Sequence, residues 1–64
     1  MSTPHERYRA VQMAGQFLKE LGAKSNLPID VRARANSIGR FYPTTYELHQ
    51  MAIGLPEYFA EEEE

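Results

Sequence analysis

The sequence predicts an all-α protein, a small three-helix bundle with helices near residues 4–21, 28–41 and 45–53. Three observations carry that expectation. Thr3 to Glu6 and Thr44 to Glu47 have the Thr-x-x-Glu spacing of a capping box, each ahead of apolar residues at helical steps. A further segment of the same period opens at Pro28. Glycine and proline fall between the three segments, where helices stop.

In the first element, Thr3 supplies a hydroxyl for a free backbone N–H, and Glu6 reaches back to the amide of Thr3. Pro4 suits the first helical position, because the N–H it lacks would have no helical partner there. Ala10, Val11, Ala14, Phe17, Leu18 and Leu21 then form one stripe, and Gly22 is the expected stop. Arg7 falls within this stripe one turn before Val11. Its stem can cover the end of the core while the guanidinium reaches helix-end carbonyls or a carboxylate such as Glu57; the functional alternative is an anion or partner contact.

The second element starts at Pro28, with Asp30 near the positive end of its dipole. Leu27, Val31, Ala35, Ile38 and Tyr42 recur every three or four residues as the expected packing stripe. Arg32, Asn36 and Arg40 form a row on the other side, the candidate contact for an anion or nucleic acid. Gly39 costs a helix roughly 0.8–1 kcal/mol relative to alanine, which close approach of another backbone can offset. Tyr42-Pro43 closes the helix, since proline disfavours helical geometry in the residue before it. The third element then starts from the Thr44 box, with Leu48, Met51, Ala52 and Leu55 inward and Gly54-Leu55-Pro56 as its end. Tyr58 and Phe59 are placed to form a lid beyond it.

Composition narrows the function. The chain has 64 residues and no cysteine, so disulfide and Cys-based zinc staples are absent and stability should be marginal. One helical domain over residues 1–60 is expected, followed by a disordered acidic tail at 61–64. The net charge of −2 conceals a division: residues 1–60 hold seven basic and five acidic side chains, and the tail holds four glutamates. No apolar run approaches the roughly 18 residues of a membrane span, and no basic-then-apolar leader opens the chain, so a cytoplasmic setting is expected.

Parts for catalysis are missing. His5 and His49 have no metal-ligand spacing, and there is no GxSxG elbow or glycine-rich phosphate loop. A non-enzymatic protein is expected, without cofactor, metal or small-molecule substrate. Arg32, Arg34 and Arg40 before a tight turn suggest a helix-turn-helix, but in that motif the second helix reads the groove. Here the second helix of the pair presents Tyr46, Glu47, His49 and Gln50, and no Lys or Arg follows Phe41. A small nucleic-acid-associated protein using the second helix is therefore the alternative reading, which predicts salt-sensitive retention on duplex DNA. The leading expectation is a non-catalytic protein–protein interaction or regulatory module. Tyr8, Met13 and Ile29 are apolar residues outside the stripes, and Tyr46, His49, Gln50 and Ile53 on the third helix are the candidate contacts to another protein or to a second copy.

Several of these segments carry a resemblance. The opening Thr3-Pro4-His5-Glu6-Arg7-Tyr8-Arg9-Ala10-Val11, the Phe17-Leu18-x-x-Leu21 and Leu27-Pro28-x-x-Val31-Arg32 segments, and the corner Arg40-x-Tyr42-Pro43-Thr44 resemble a family of short proteobacterial proteins of unknown function. The resemblance spans the chain to about Phe59 and implies a bacterial source, with no activity to carry over. The chain departs from it at Asn36-Ser37-Ile38-Gly39, where relatives are richer in Arg and Leu, and in its acidic tail.

Overall fold

Both capping boxes form and set where two of the three helices begin. The structure, a computed structural model, describes residues 2–61 and contains α1 (Pro4–Ala23), α2 (Ile29–Arg40) and α3 (Thr45–Gly54). It is a small all-α three-helix fold, and among the described residues there are no strands. At α1 the Thr3 amide donates to Glu6 Oε1 at 2.8 Å and the Glu6 amide to Thr3 Oγ1 at 3.1 Å. The same reciprocal pair joins Thr44 and Glu47 at 2.9 and 3.1 Å. Replacing Thr44 by alanine should therefore cost roughly 0.5–2 kcal/mol, read as a lowered melting temperature; an unchanged one would mean the box carries no stability.

Two boundaries differ from the sequence reading for local reasons. Pro28 takes φ −55° and ψ 144°, so it caps α2 from outside and the helix proper starts at Ile29. Gly22 remains helical, no residue has positive φ among those described, and the extended backbone of Lys24 ends α1. The acidic tail expected at 61–64 lies outside the described residues, except for Glu61, whose carboxylate pairs with His49 Nδ1.

The largest departure concerns which faces meet. Gly22 lies under the carboxamide of Asn36, Gly39 faces Leu18, and Gly15 lies under the ring of Tyr42. Residue numbers rise on α1 as they fall on α2, so the helices are antiparallel. Their seam on α1 follows Val11, Gly15, Leu18 and Gly22, and Tyr8 and Pro4 continue the same line, at alternating steps of three and four, beyond the end of α2. Tyr8, expected outside the core, is buried, whereas Ala10, Ala14 and Phe17 of the expected stripe are exposed. The seam uses Ala35, Asn36 and Gly39 of α2 and Tyr42 just beyond it, while Val31 and Ile38 turn partly outward. Small residues let the axes approach, and the Tyr42 hydroxyl secures the seam by donating to the Val11 carbonyl at 2.6 Å.

Neither α2 nor α3 packs on the other: both lie against α1, the latter sparsely. The extents are 40 × 21 × 15 Å and the radius of gyration is 13.7 Å. A compact chain of this length would have about 10–11 Å. Among the described residues only Tyr8, Ala35 and Leu48 are buried apolar residues, each still 3–4% exposed. The accessible surface is 5219 Å², whereas a compact monomer of this mass exposes about 4,200 Å². Close to 1,000 Å² more surface than a self-contained fold requires is thus in contact with solvent.

Candidate interaction surfaces

Four side chains proposed from sequence as partner contacts sit together on the outer side of α3. With Leu48 buried and Met51 and Ala52 half-buried, about 100° of rotation per residue carries His49, Gln50, Tyr46 and Ile53 to the opposite side. All four are exposed, Tyr46 at 70% and Ile53 at 62%. Their positions seven residues apart stack these two apolar side chains two turns apart. His49 between them is held by Glu61, both side chains being half exposed.

The row Arg32, Asn36 and Arg40 is divided by the seam. Asn36 lies over Gly22 of α1, Arg32 is half-buried with its Nε shielded and without a partner, and Arg40 is exposed. A duplex would meet an exposed Arg40 and a half-buried Arg32, separated by an Asn36 that touches α1, instead of a continuous basic edge. Arg40 also borders a trough of about 1150 Å³ between α1 and the Tyr42–Leu48 corner. That trough is open to solvent, and the ionisable groups beside Arg40 are Lys19, Glu20 and the phenols of Tyr42 and Tyr46. Among the described residues no three His, Asp or Glu side chains converge as metal ligands, and no helix is long and apolar enough to cross a membrane.

Arg7 acts as a clamp on the chain's return. Its Nε donates to the Tyr58 carbonyl at 2.8 Å and Nη2 to the Glu57 carbonyl at 3.2 Å. Nη1 donates to the carbonyl and hydroxyl of Ser2 at 2.8 and 3.0 Å. The carboxylate of Glu57 is not used; the turn's backbone is. Next to this clamp the Ala60 amide donates to the Pro4 carbonyl at 3.2 Å, leaving Phe59 half-buried and Tyr58 57% exposed. Replacing Arg7 by alanine should lower stability by about 1–3 kcal/mol in urea denaturation. Lysine should restore less than half of that loss, because an ammonium lacks the planar fork that spans these acceptors. Full recovery with lysine would show that charge alone matters.

Sequence reasoning did not identify a further exposed set. Phe17, Val31 and Ile38 were assigned to the core, yet they are exposed at 57, 38 and 53%. Phe41, at the margin of the expected stripe, is 82% exposed. The available signal was the series of small residues Gly15, Gly22, Ala35 and Gly39, which marks the close-packed side.

Compared with protein-family models, curated proteins and solved structures, the chain matches none.

Proposed function

We propose that this protein is a non-catalytic protein-binding module whose outer α3 face, Tyr46, His49, Gln50 and Ile53, is a docking surface. The observation that supports it is the distribution of apolar side chains. Ten large ones are exposed among the described residues, while three apolar residues are buried. Single exposed apolar residues are ordinary on a monomer, but a short helix presenting Tyr46 and Ile53 on one side offers spaced anchors for a protein surface. The Glu61 carboxylate limits the freedom of the His49 ring between those anchors and thereby lowers the ordering cost of contact.

The test is affinity capture with the full chain, comparing the original with a Tyr46→Ser/Ile53→Ser variant. Both side chains are exposed, so helix content by circular dichroism should be unchanged. A discrete partner retained by the original chain and lost with the variant is the expected result. No partner on either chain would overturn the reading, and equal retention would remove α3 as the docking surface.

A further inference from the structure

The α1–α2 hairpin has one apolar side that the rest of the chain leaves uncovered. Leu18 and Leu21 of α1 and Val31, Ala35 and Ile38 of α2 line a shallow groove of about 220 Å³, in which Ala35 is buried and Leu18 and Leu21 half-buried; Val31 and Ile38, with Phe17 on α1, are the exposed part of this side. They come to the same side because the helices are antiparallel. The large apolar residues lie about 110° round from the seam on α1 and about 80° on α2, in the same rotational sense, at about 100° per residue. Running the chains in opposite directions brings both displacements to one face. The other side of the hairpin is mixed, with Gln12, Gln16, Lys19, Glu20 and Arg40 beside Met13 and Tyr42.

We infer that this apolar face is where two copies of the chain associate, hairpin against hairpin, as the two halves of a four-helix layer about a two-fold axis. Two quantities favour a second copy as the occupant. The fold leaves about 1,000 Å² more surface exposed than a compact monomer of its mass, and a stable interface buries about 800 Å² on each partner. Phe17, Val31 and Ile38 on this face are three of the ten exposed large apolar side chains among the described residues, so a contact of that size here removes part of the excess. The rim is also suited to self-pairing: Asp30 and Arg34 stand one turn apart on α2, and neither is in an ion pair among the described residues. A two-fold contact repeats every approach in both senses, so Asp30 of either copy can meet Arg34 of the other. The association closes on itself and uses the patch completely, leaving none exposed to extend a filament. It concerns a different face from α3 and requires no other protein.

The test uses the full chain in sedimentation equilibrium over a concentration series. The expected mass is twice 7.4 kDa. Ile38→Glu should weaken association by at least about 30-fold, as an anchor near the centre of an interface does. The equally exposed Ile53→Glu should leave it unchanged. Because Ile38 is 53% exposed in the single chain, its helix content should survive the charge, which circular dichroism checks. A second measurement covers the case in which it does not. The chain has no cysteine, so Ile38→Cys should give a cross-linked dimer under mild oxidation and Ile53→Cys should not. A monomer at all concentrations, or a dimer dissociated by Ile53→Glu and cross-linked through Ile53→Cys, would overturn the inference. A monomer that captures another protein through α3 would retain the proposed function and remove this inference. A dimer capturing nothing would do the reverse.

Discussion

Replacing Tyr8 by alanine should abolish the cooperative thermal transition, leaving ellipticity that declines gradually from low temperature. Tyr8 is 4% exposed and is the largest of the three buried apolar residues among those described. Truncating a buried aromatic side chain costs about 3–5 kcal/mol, through lost transfer free energy and the cavity left behind. A single core below about 70–80 residues supplies only about 3–5 kcal/mol in total. The two ranges coincide, so the variant has little stability left. Tyr8→Phe keeps the ring and should keep the transition, which separates loss of packing from loss of the hydroxyl. If Tyr8→Ala melts sharply within about 5 °C of the original chain, the centre of the fold is elsewhere, since 3 kcal/mol should displace the midpoint by at least about 12 °C.

The fate of Tyr8 also shows where the sequence was legible. Helix positions were, because the signals that set them are local: Thr3 with Glu6, Thr44 with Glu47, and the proline after Tyr42 act within one or two turns. The α3 faces were legible in part: Leu48 is in and Tyr46 and Ile53 are out, but Leu55, expected inward, is 48% exposed because it lies past the end of the helix, in the cap after Gly54. Packing of α1 on α2 was not. Hydrophobic period locates the stripe that avoids water, but it does not say whether the same chain or another molecule covers that stripe. Phe17, Leu21, Val31 and Ile38 define the apolar stripe, whereas Gly15, Gly22, Ala35 and Gly39 define the side on which the axes come closest. In a self-contained bundle these coincide. Here they are separated by about 130° of rotation on α1 and about 70° on α2, and that separation divides Arg32, Asn36 and Arg40 as well. Asn36, on the outer side of the wheel, is exposed, and its carboxamide touches α1 where Gly22 leaves room for it.

If small residues define the seam, a side chain added at Gly15 should open it, and Gly15→Val is expected to cost about 0.5–1.5 kcal/mol, the cheaper of the two routes below. A β-carbon there would lie 2.8 Å from Tyr42 Cε2 and 3.0 Å from Cδ2, before the methyl groups of valine are added. The ring is not free to swing aside, because its hydroxyl is bonded to the Val11 carbonyl at 2.6 Å. Either the helices separate, at the roughly 1–3 kcal/mol of an overpacked core, or that bond breaks, at about 0.5–1.5 kcal/mol. Helix propensity acts the other way, since valine is a few tenths of a kcal/mol better than glycine in a helix interior, so a loss would come from packing. The same substitution in a Tyr42→Leu background should be nearly neutral, because the ring it collides with is gone. Chemical denaturation of the four chains gives the coupling directly, expected to be about 0.5–1.5 kcal/mol. Additive costs would mean that Gly15 and Tyr42 do not meet, and that α1 and α2 pack through some other line of residues.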